Sequence, residues 1–176
     1  GFRFSADTSY RYSNGNGSLK WRYNFHEKHK MELAAGYDMY RYATYDKYNP
    51  VNSYEMTFSI QQVYSKLKFK SLLGKDHTLT YGVDAIGYDL SPGSYLPYGE
   101  ESLVVPDILP KENAIEASAY LSHSWNVSEK FFMDYGLRYS LFTTKGKTYH
   151  HPEIRVSGRV MITDNISFKA GFNSLT

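Results

Sequence analysis

The sequence contains no cysteine among its 176 residues, so it has neither a disulfide framework nor a thiolate metal site or nucleophile. No apolar run approaches the length of about eighteen residues that marks a membrane-crossing helix, and the mean hydropathy is negative. The net charge of +2 is too small to indicate a nucleic-acid partner, and the Lys and Arg residues are scattered along the chain rather than gathered in a run. Gly-x-Ser-x-Gly, the nucleophile elbow of one hydrolase class, does not occur. The glycine-rich segment Ser13-Asn14-Gly15-Asn16-Gly17 is not a phosphate loop, because no Gly-Lys-Ser/Thr closes it and no helical pattern follows. No secretory-leader pattern is read in these residues: Gly1 opens directly into an alternating stretch, and residues 172–176 still read as strand. Both ends read as cut, and the chain as a piece of something longer.

What the sequence has in quantity is aromatic side chains, with eighteen Tyr, ten Phe and two Trp, and stiff, flat rings favour a pleated surface. The clearest pattern lies in residues 114–142. Ile115, Ala117, Ala119, Leu121, His123, Trp125 and Val127 alternate with Glu116, Ser118, Tyr120, Ser122, Ser124 and Asn126. After Ser128-Glu129-Lys130 the pattern restarts, with Phe131, Met133, Tyr135, Leu137, Tyr139 and Leu141 against Phe132, Asp134, Gly136, Arg138 and Ser140. Period two with a short interruption is an antiparallel hairpin with one apolar and one polar face. Each arm exceeds the about 9 to 11 residues that a tilted strand needs to cross a bilayer, whereas soluble strands cluster near about 5 to 6.

The same alternation recurs elsewhere and gives an all-β, antiparallel up-and-down meander of about nine long strands. Residues 13–17 are expected to turn the chain back, and residues 41–52, 91–111 and 143–152 to form longer loops. Short turns fall at residues 26–29, 73–77, 128–130 and 164–165. Short and long connections therefore alternate, as they do in outer-membrane barrels with short periplasmic turns and long external loops. Phe25, Phe69, Trp125, Phe131 and Phe168 all lie beside short turns in the apolar phase, the arrangement of an interfacial aromatic girdle. Half of each barrel strand faces a wet interior, which reconciles a membrane location with the low hydropathy.

Candidate chemistry is sparse. His26-Glu27-Lys28-His29 has its histidines three apart in a strand context, whereas a zinc-protease helix needs them four apart. His150-His151 beside Glu153 are adjacent residues whose rings point apart, and Glu100-Glu101 sit in a loop without a frame for acid–base work. Asn16, Asn126 and Asn165 begin glycosylation-like triplets, but each occupies an expected turn. The chain is read as no enzyme, with no metal and no cofactor.

Trp125-Asn126-Val127, the turn Ser128-Glu129-Lys130 and the strand closing Gly136-Leu137-Arg138-Tyr139 resemble a recurrent mid-barrel hairpin of the TonB-dependent outer-membrane receptors. Pro152-Glu153-Ile154-Arg155 through Asp164-Asn165 and Ile166-Ser167-Phe168-Lys169-Ala170 resemble the hairpin that follows it. The resemblance implies a single barrel segment over residues 1–176, in the outer membrane of a Gram-negative bacterium. Its role would be import of a bulky ligand such as an iron chelate, cobalamin or a glycan. The implied partners are outer-membrane lipid, the remaining barrel strands, a plug domain with no counterpart in these residues, and the energy-coupling TonB protein. A soluble ligand-binding barrel of lipocalin type and a small structural outer-membrane barrel are the alternatives. An odd strand count with ragged ends fits neither, since closed bacterial barrels have an even count.

On the receptor reading, residues 91–111 contact ligand, with Tyr95, Tyr98, Glu100 and Glu101 as candidates, because Tyr gives stacking surface at low entropic cost. Tyr120, Asp134, Arg138, Arg155 and Arg159 are expected to face the lumen, the four charged residues among them forming a cross-strand cluster. Leu121, Trp125, Phe131, Met133 and Leu137 are expected to face lipid. Cost sets this direction: an Arg facing lipid at the midplane is unfavourable by about 2 to 4 kcal/mol.

Overall fold

A computed structural model describes residues 8–174. The strands are β1 (Thr8–His26), β2 (His29–Asp46), β3 (Tyr54–Leu73), β4 (His77–Pro97), β5 (Asp107–Ile108), β6 (Glu112–Asn126), β7 (Phe131–Thr144), β8 (Lys147–Thr163) and β9 (Ile166–Asn173). One turn of 3-10 helix, Pro50–Asn52, interrupts them, capped by Asn49, whose side chain accepts from the Val51 amide at 3.1 Å. The strand order is β1-β2-β3-β4-β6-β7-β8-β9, with β5 paired to β4. Each long strand thus neighbours the next in sequence, and the fold is the all-β antiparallel meander that the alternation implies.

Four connections differ from expectation. Residues 13–17 do not turn but continue β1, and neither Gly15 nor Gly17 adopts a positive φ. Gly, Asn and Ser permit a turn without enforcing one, and pairing with the long β2 keeps the segment extended. The alternation over residues 2–7, like that of residues 175 and 176, lies outside the described residues. Residues 41–46 belong to β2, leaving only the segment around the 3-10 turn as loop. Residues 91–97 belong to β4, which accommodates Pro92 and ends at Pro97. Asp107 and Ile108 return to pair with Tyr95 and Ser94.

The fourth difference is the largest. Residues 143–152 are not a loop: Thr143 and Thr144 end β7, residues 147–152 open β8, and only a two-residue turn lies between, with Lys145 at φ 49 and Gly146 at φ 74. Two consecutive positive φ values make the primed turn whose twist matches a hairpin. Thr143 and Thr148 face each other across it with hydroxyls 3.0 Å apart. The polarity of this stretch reflects a hairpin end, so the alternation of short and long connections does not extend to it.

The chain divides into two compact units. The first comprises residues 8–17, 37–63 and 87–114, and the second residues 18–36, 64–86 and 115–174 among those described. Eleven of the eighteen Tyr fall in the first unit, while both Trp and seven of the ten Phe fall in the second.

Candidate functional site

In the second unit, register fixes the faces. On β7 and β8, Met133 stands opposite Gly158, Tyr135 opposite Val156 and Leu137 opposite Ile154, forming an apolar face. Gly136 stands opposite Arg155, Phe132 opposite Arg159 and Arg138 opposite Glu153, forming the other. Pairing of β8 with β9 continues both, with Val156 opposite Phe172 and Arg159 opposite Lys169. The apolar side is the more open: Leu121 is 49% and Leu137 59% exposed, whereas Ser118 and Ser140 on the polar side are buried. Trp125, Phe131 and Met133 follow the apolar phase and are half-buried. Among the described residues the only buried hydrophobic side chain is Ala43.

On the polar face Arg138 sits between Asp84 at 3.8 Å and Glu116 at 3.9 Å, and its Nε donates to the Ser140 hydroxyl at 3.1 Å. Ser124 donates to Asp134 at 2.5 Å, and Arg155 pairs with Glu153 at 2.9 Å. Arg159 lies over the Phe132 ring at 5.9 Å. The structure therefore brings Asp134, Arg138, Arg155 and Arg159 to one face, but each binds its own partner rather than another of the four. Tyr120 lies on the same side, with its ring against Gly82 of β4.

Beside the short turns of this unit runs a band of stacked rings. Phe25 contacts His29 at 5.2 Å, His29 stacks on Phe69 at 6.0 Å, and Phe69 stacks on Tyr81 at 5.2 Å. Further along, Trp125 and His123 stack on His77 at 5.4 and 5.2 Å. Phe25, Phe69 and Trp125 thus take part as expected, while Phe131 and Phe168 stand on either side of Val160. The histidines, which alternation alone does not single out, satisfy one another's polar atoms. His77 Nδ1 meets His123 Nε2 at 3.2 Å, His123 Nδ1 meets Tyr135 Oη at 2.6 Å, and His29 Nδ1 meets Ser71 Oγ at 2.6 Å. On an apolar face, such pairing removes the cost of unsatisfied donors. No group of three His, Asp or Glu residues placed to hold a metal occurs among the described residues.

The first unit carries the candidate ligand contacts. Ser53 is buried and ties the two long connections together. Its carbonyl accepts from the Tyr98 amide at 3.1 Å and the Ser102 hydroxyl at 2.6 Å. Its single hydroxyl proton is placed to reach either the Pro50 carbonyl, at 2.8 Å, or the Tyr98 carbonyl. Leu103 adds a backbone bond to Val51 at 2.8 Å. Held this way, Tyr98, Glu100 and Glu101 line a cavity of about 420 Å³ with Lys47, Pro50, Ser53 and Gly99. The Lys47 ammonium lies over the Tyr98 ring at 4.7 Å, and Tyr45 packs edge-on against that ring at 5.6 Å. Tyr95 is not part of this cavity; it packs against Tyr54 at 4.9 Å. Reading residues 41–52 as plain loop missed Lys47, and Ser53 lies just beyond that range, although the density of Tyr from 40 to 48 was a visible signal.

Residues 1–174 match a family model described as TonB dependent receptor-like, beta-barrel. The chain belongs to the TonB-dependent receptor β-barrel family. Comparison with curated protein sequences finds no match. A solved structure titled "Copper transporter OprC" is similar at a TM-score of 0.73 and 15% identity, over 90% of this chain and 29% of that one. At that identity the likeness shows the fold. This receptor-barrel segment spans less than a third of the OprC chain. The meander and the long strands are what a stretch of receptor wall requires.

Proposed function

We propose that this chain is part of the wall and external loops of a receptor that imports a bulky ligand across the outer membrane of a Gram-negative bacterium. The observation that carries the reading is the inverted burial of the second unit, where Leu121 and Leu137 are open while Ser118 and Ser140 are sheltered. Lipid on the apolar side and a wet lumen on the polar side account for that inversion; a soluble barrel would enclose the leucines. On this reading Leu121, Trp125, Phe131, Met133 and Leu137 face lipid, and Tyr120, Asp134, Arg138, Arg155 and Arg159 face the lumen. The wall is completed by further strands and a plug domain, with the TonB protein supplying energy. Iron chelates, cobalamin and glycans are the ligand classes in view.

The first unit supplies the contact surface. Tyr98, Glu100 and Glu101 meet the ligand in the cavity beside Lys47, and Tyr95 contributes through its pairing with Tyr54. Ser53 preorganises the two connections, which lowers the ordering cost on binding. The test is uptake by cells carrying the full-length receptor with Lys47→Ala and Tyr98→Ala together. Uptake reduced at least tenfold, with normal receptor levels in the outer membrane, supports the assignment. Undiminished uptake rejects it.

A further inference from the structure

The apolar face of the second unit is not evenly filled. A furrow of about 380 Å³ crosses it, with Ala85 of β4 and Ala117 and Ala119 of β6 lying between Leu67 of β3 and Tyr139 and Leu141 of β7. Ala117 and Ala119 share the strand phase of Leu121, and Tyr139 and Leu141 that of Leu137, so the furrow opens on the side where those leucines are exposed. On its β7 bank the Tyr139 hydroxyl meets His150 Nδ1 at 2.7 Å. His150 is exposed and stands opposite Leu141 across the β7–β8 pairing. With the tyrosine hydroxyl donating to Nδ1, the imidazole proton sits on Nε2, where it donates away from the pair. From Phe131 beside the short turn to Tyr139, the rise along a strand tilted by about 40° is roughly 20 Å, close to the far edge of an apolar band about 25 Å tall.

We propose that the furrow seats one acyl chain of a phosphorylated outer-leaflet lipid, whose phosphate accepts from His150 Nε2. The inference rests on the wall reading, in which this side meets lipid and the short turns are periplasmic. In hydrocarbon no water fills a concavity, and one left empty forfeits dispersion contacts along its lining. An acyl chain is the slender apolar body that restores them. Tyr139 joins the two halves of the site, because it borders the furrow and also holds His150 at headgroup level. A protein occupant fits less well. β3, β4, β6 and β7 are all inner strands of the sheet with no free edge, and ten lining residues fall short of the about 20 to 30 a side of a stable protein interface.

The test uses the full-length receptor in phosphatidylcholine nanodiscs, titrated with lipid A or with dephosphorylated lipid A and read by native mass spectrometry. The expected result is one retained lipid A, bound about tenfold more tightly than its dephosphorylated form, as a hydrogen bond to a charged group supplies. Ala117→Leu/Ala119→Leu fills the furrow and lowers retention of both forms about tenfold; Ser65→Leu closes it from β3 if that variant does not assemble. Tyr139→Phe/His150→Ala keeps lipid binding but loses the preference for phosphate. No retained lipid, retention unchanged by the leucine substitutions, or equal retention of the two forms overturns the proposal. A lipid-quenched fluorophore at Leu137→Cys, in a receptor with any other cysteines removed, is measured in the same nanodiscs. Absent quenching counts against the wall reading as well, whereas quenching without retention counts against the furrow alone.

Discussion

Gly82 offers a sharp test of how the wall is packed. A Cβ placed there would lie 2.2 Å from the Leu67 carbonyl oxygen, 2.7 Å from the Tyr120 hydroxyl and 2.9 Å from the Tyr120 ring. Carbon and oxygen normally approach to about 3.3 Å, so Gly82→Ala must move backbone between β3 and β4 by about 1 Å and push the Tyr120 ring off its seat. The tyrosine ring is free to swing aside, but the carbonyl belongs to a paired strand and is not. Overpacking of this kind costs about 1 to 3 kcal/mol. Part of that is offset because alanine reduces the entropy of the unfolded chain, an effect of about 0.4 to 1 kcal/mol. The net expectation is destabilisation by about 1 to 2 kcal/mol, with Gly82→Val worse. Gly87→Ala is the internal control: it lies on the same strand, has no positive φ and nothing within 4 Å of the added carbon, so it should be neutral or slightly stabilising. Urea unfolding of the full-length receptor in lipid, followed by tryptophan fluorescence, reads the difference. If Gly82→Ala and Gly87→Ala unfold at the same urea concentration, the close approach of β3, β4 and Tyr120 is wrong.

Gly146→Ala should cost about 1 to 2 kcal/mol, because the turn holds this residue at φ 74; an unchanged urea midpoint would contradict the primed turn. For the Arg138 ion pairs, the 3.8 and 3.9 Å distances and partial burial of the partners predict modest coupling. A double-mutant cycle of Arg138→Gln with Asp84→Asn should give about 0.5 to 1 kcal/mol, and zero coupling would separate the two groups. Ser53→Ala removes the hydroxyl that reaches the Pro50 and Tyr98 carbonyls. Amide exchange at Tyr98 and Leu103 should then accelerate several-fold while β7 and β8 stay protected; equal acceleration everywhere would indicate global rather than local loosening.

Strand identity and facing were legible because period two is a local signal that survives averaging over a long strand. Residues 115–127 and 131–141 show it, and the register of β7 on β8 keeps the same two faces. Turn chemistry was less legible for two opposite reasons. Residues 13–17 carry turn-permissive side chains in a segment that pairing with β2 holds extended, whereas Lys145-Gly146 turns without the Asn-Gly signature that advertises such a turn. The cavity proposed as a contact surface was only half visible. Tyr98, Glu100 and Glu101 stand out by loop composition, but the approach of Lys47 and Ser53 to them depends on a long-range backbone bond between Ser53 and Tyr98 that no local pattern encodes.

The orientation of the wall is the claim on which the rest depends, and site-specific labelling measures it directly. Single cysteines would replace Leu121, Ser122, Leu137 and Arg138 in a full-length receptor from which any other cysteines have been removed, in intact membranes. Leu121 and Leu137 are 49% and 59% exposed on the apolar face, while Arg138 is turned toward Asp84 and Glu116 on the other. The account predicts that a fluorophore at positions 121 and 137 is quenched by lipid-borne quenchers, and that positions 122 and 138 react with a water-soluble thiol reagent. Lipid quenching at 122 and 138, or at none of the four, would contradict it.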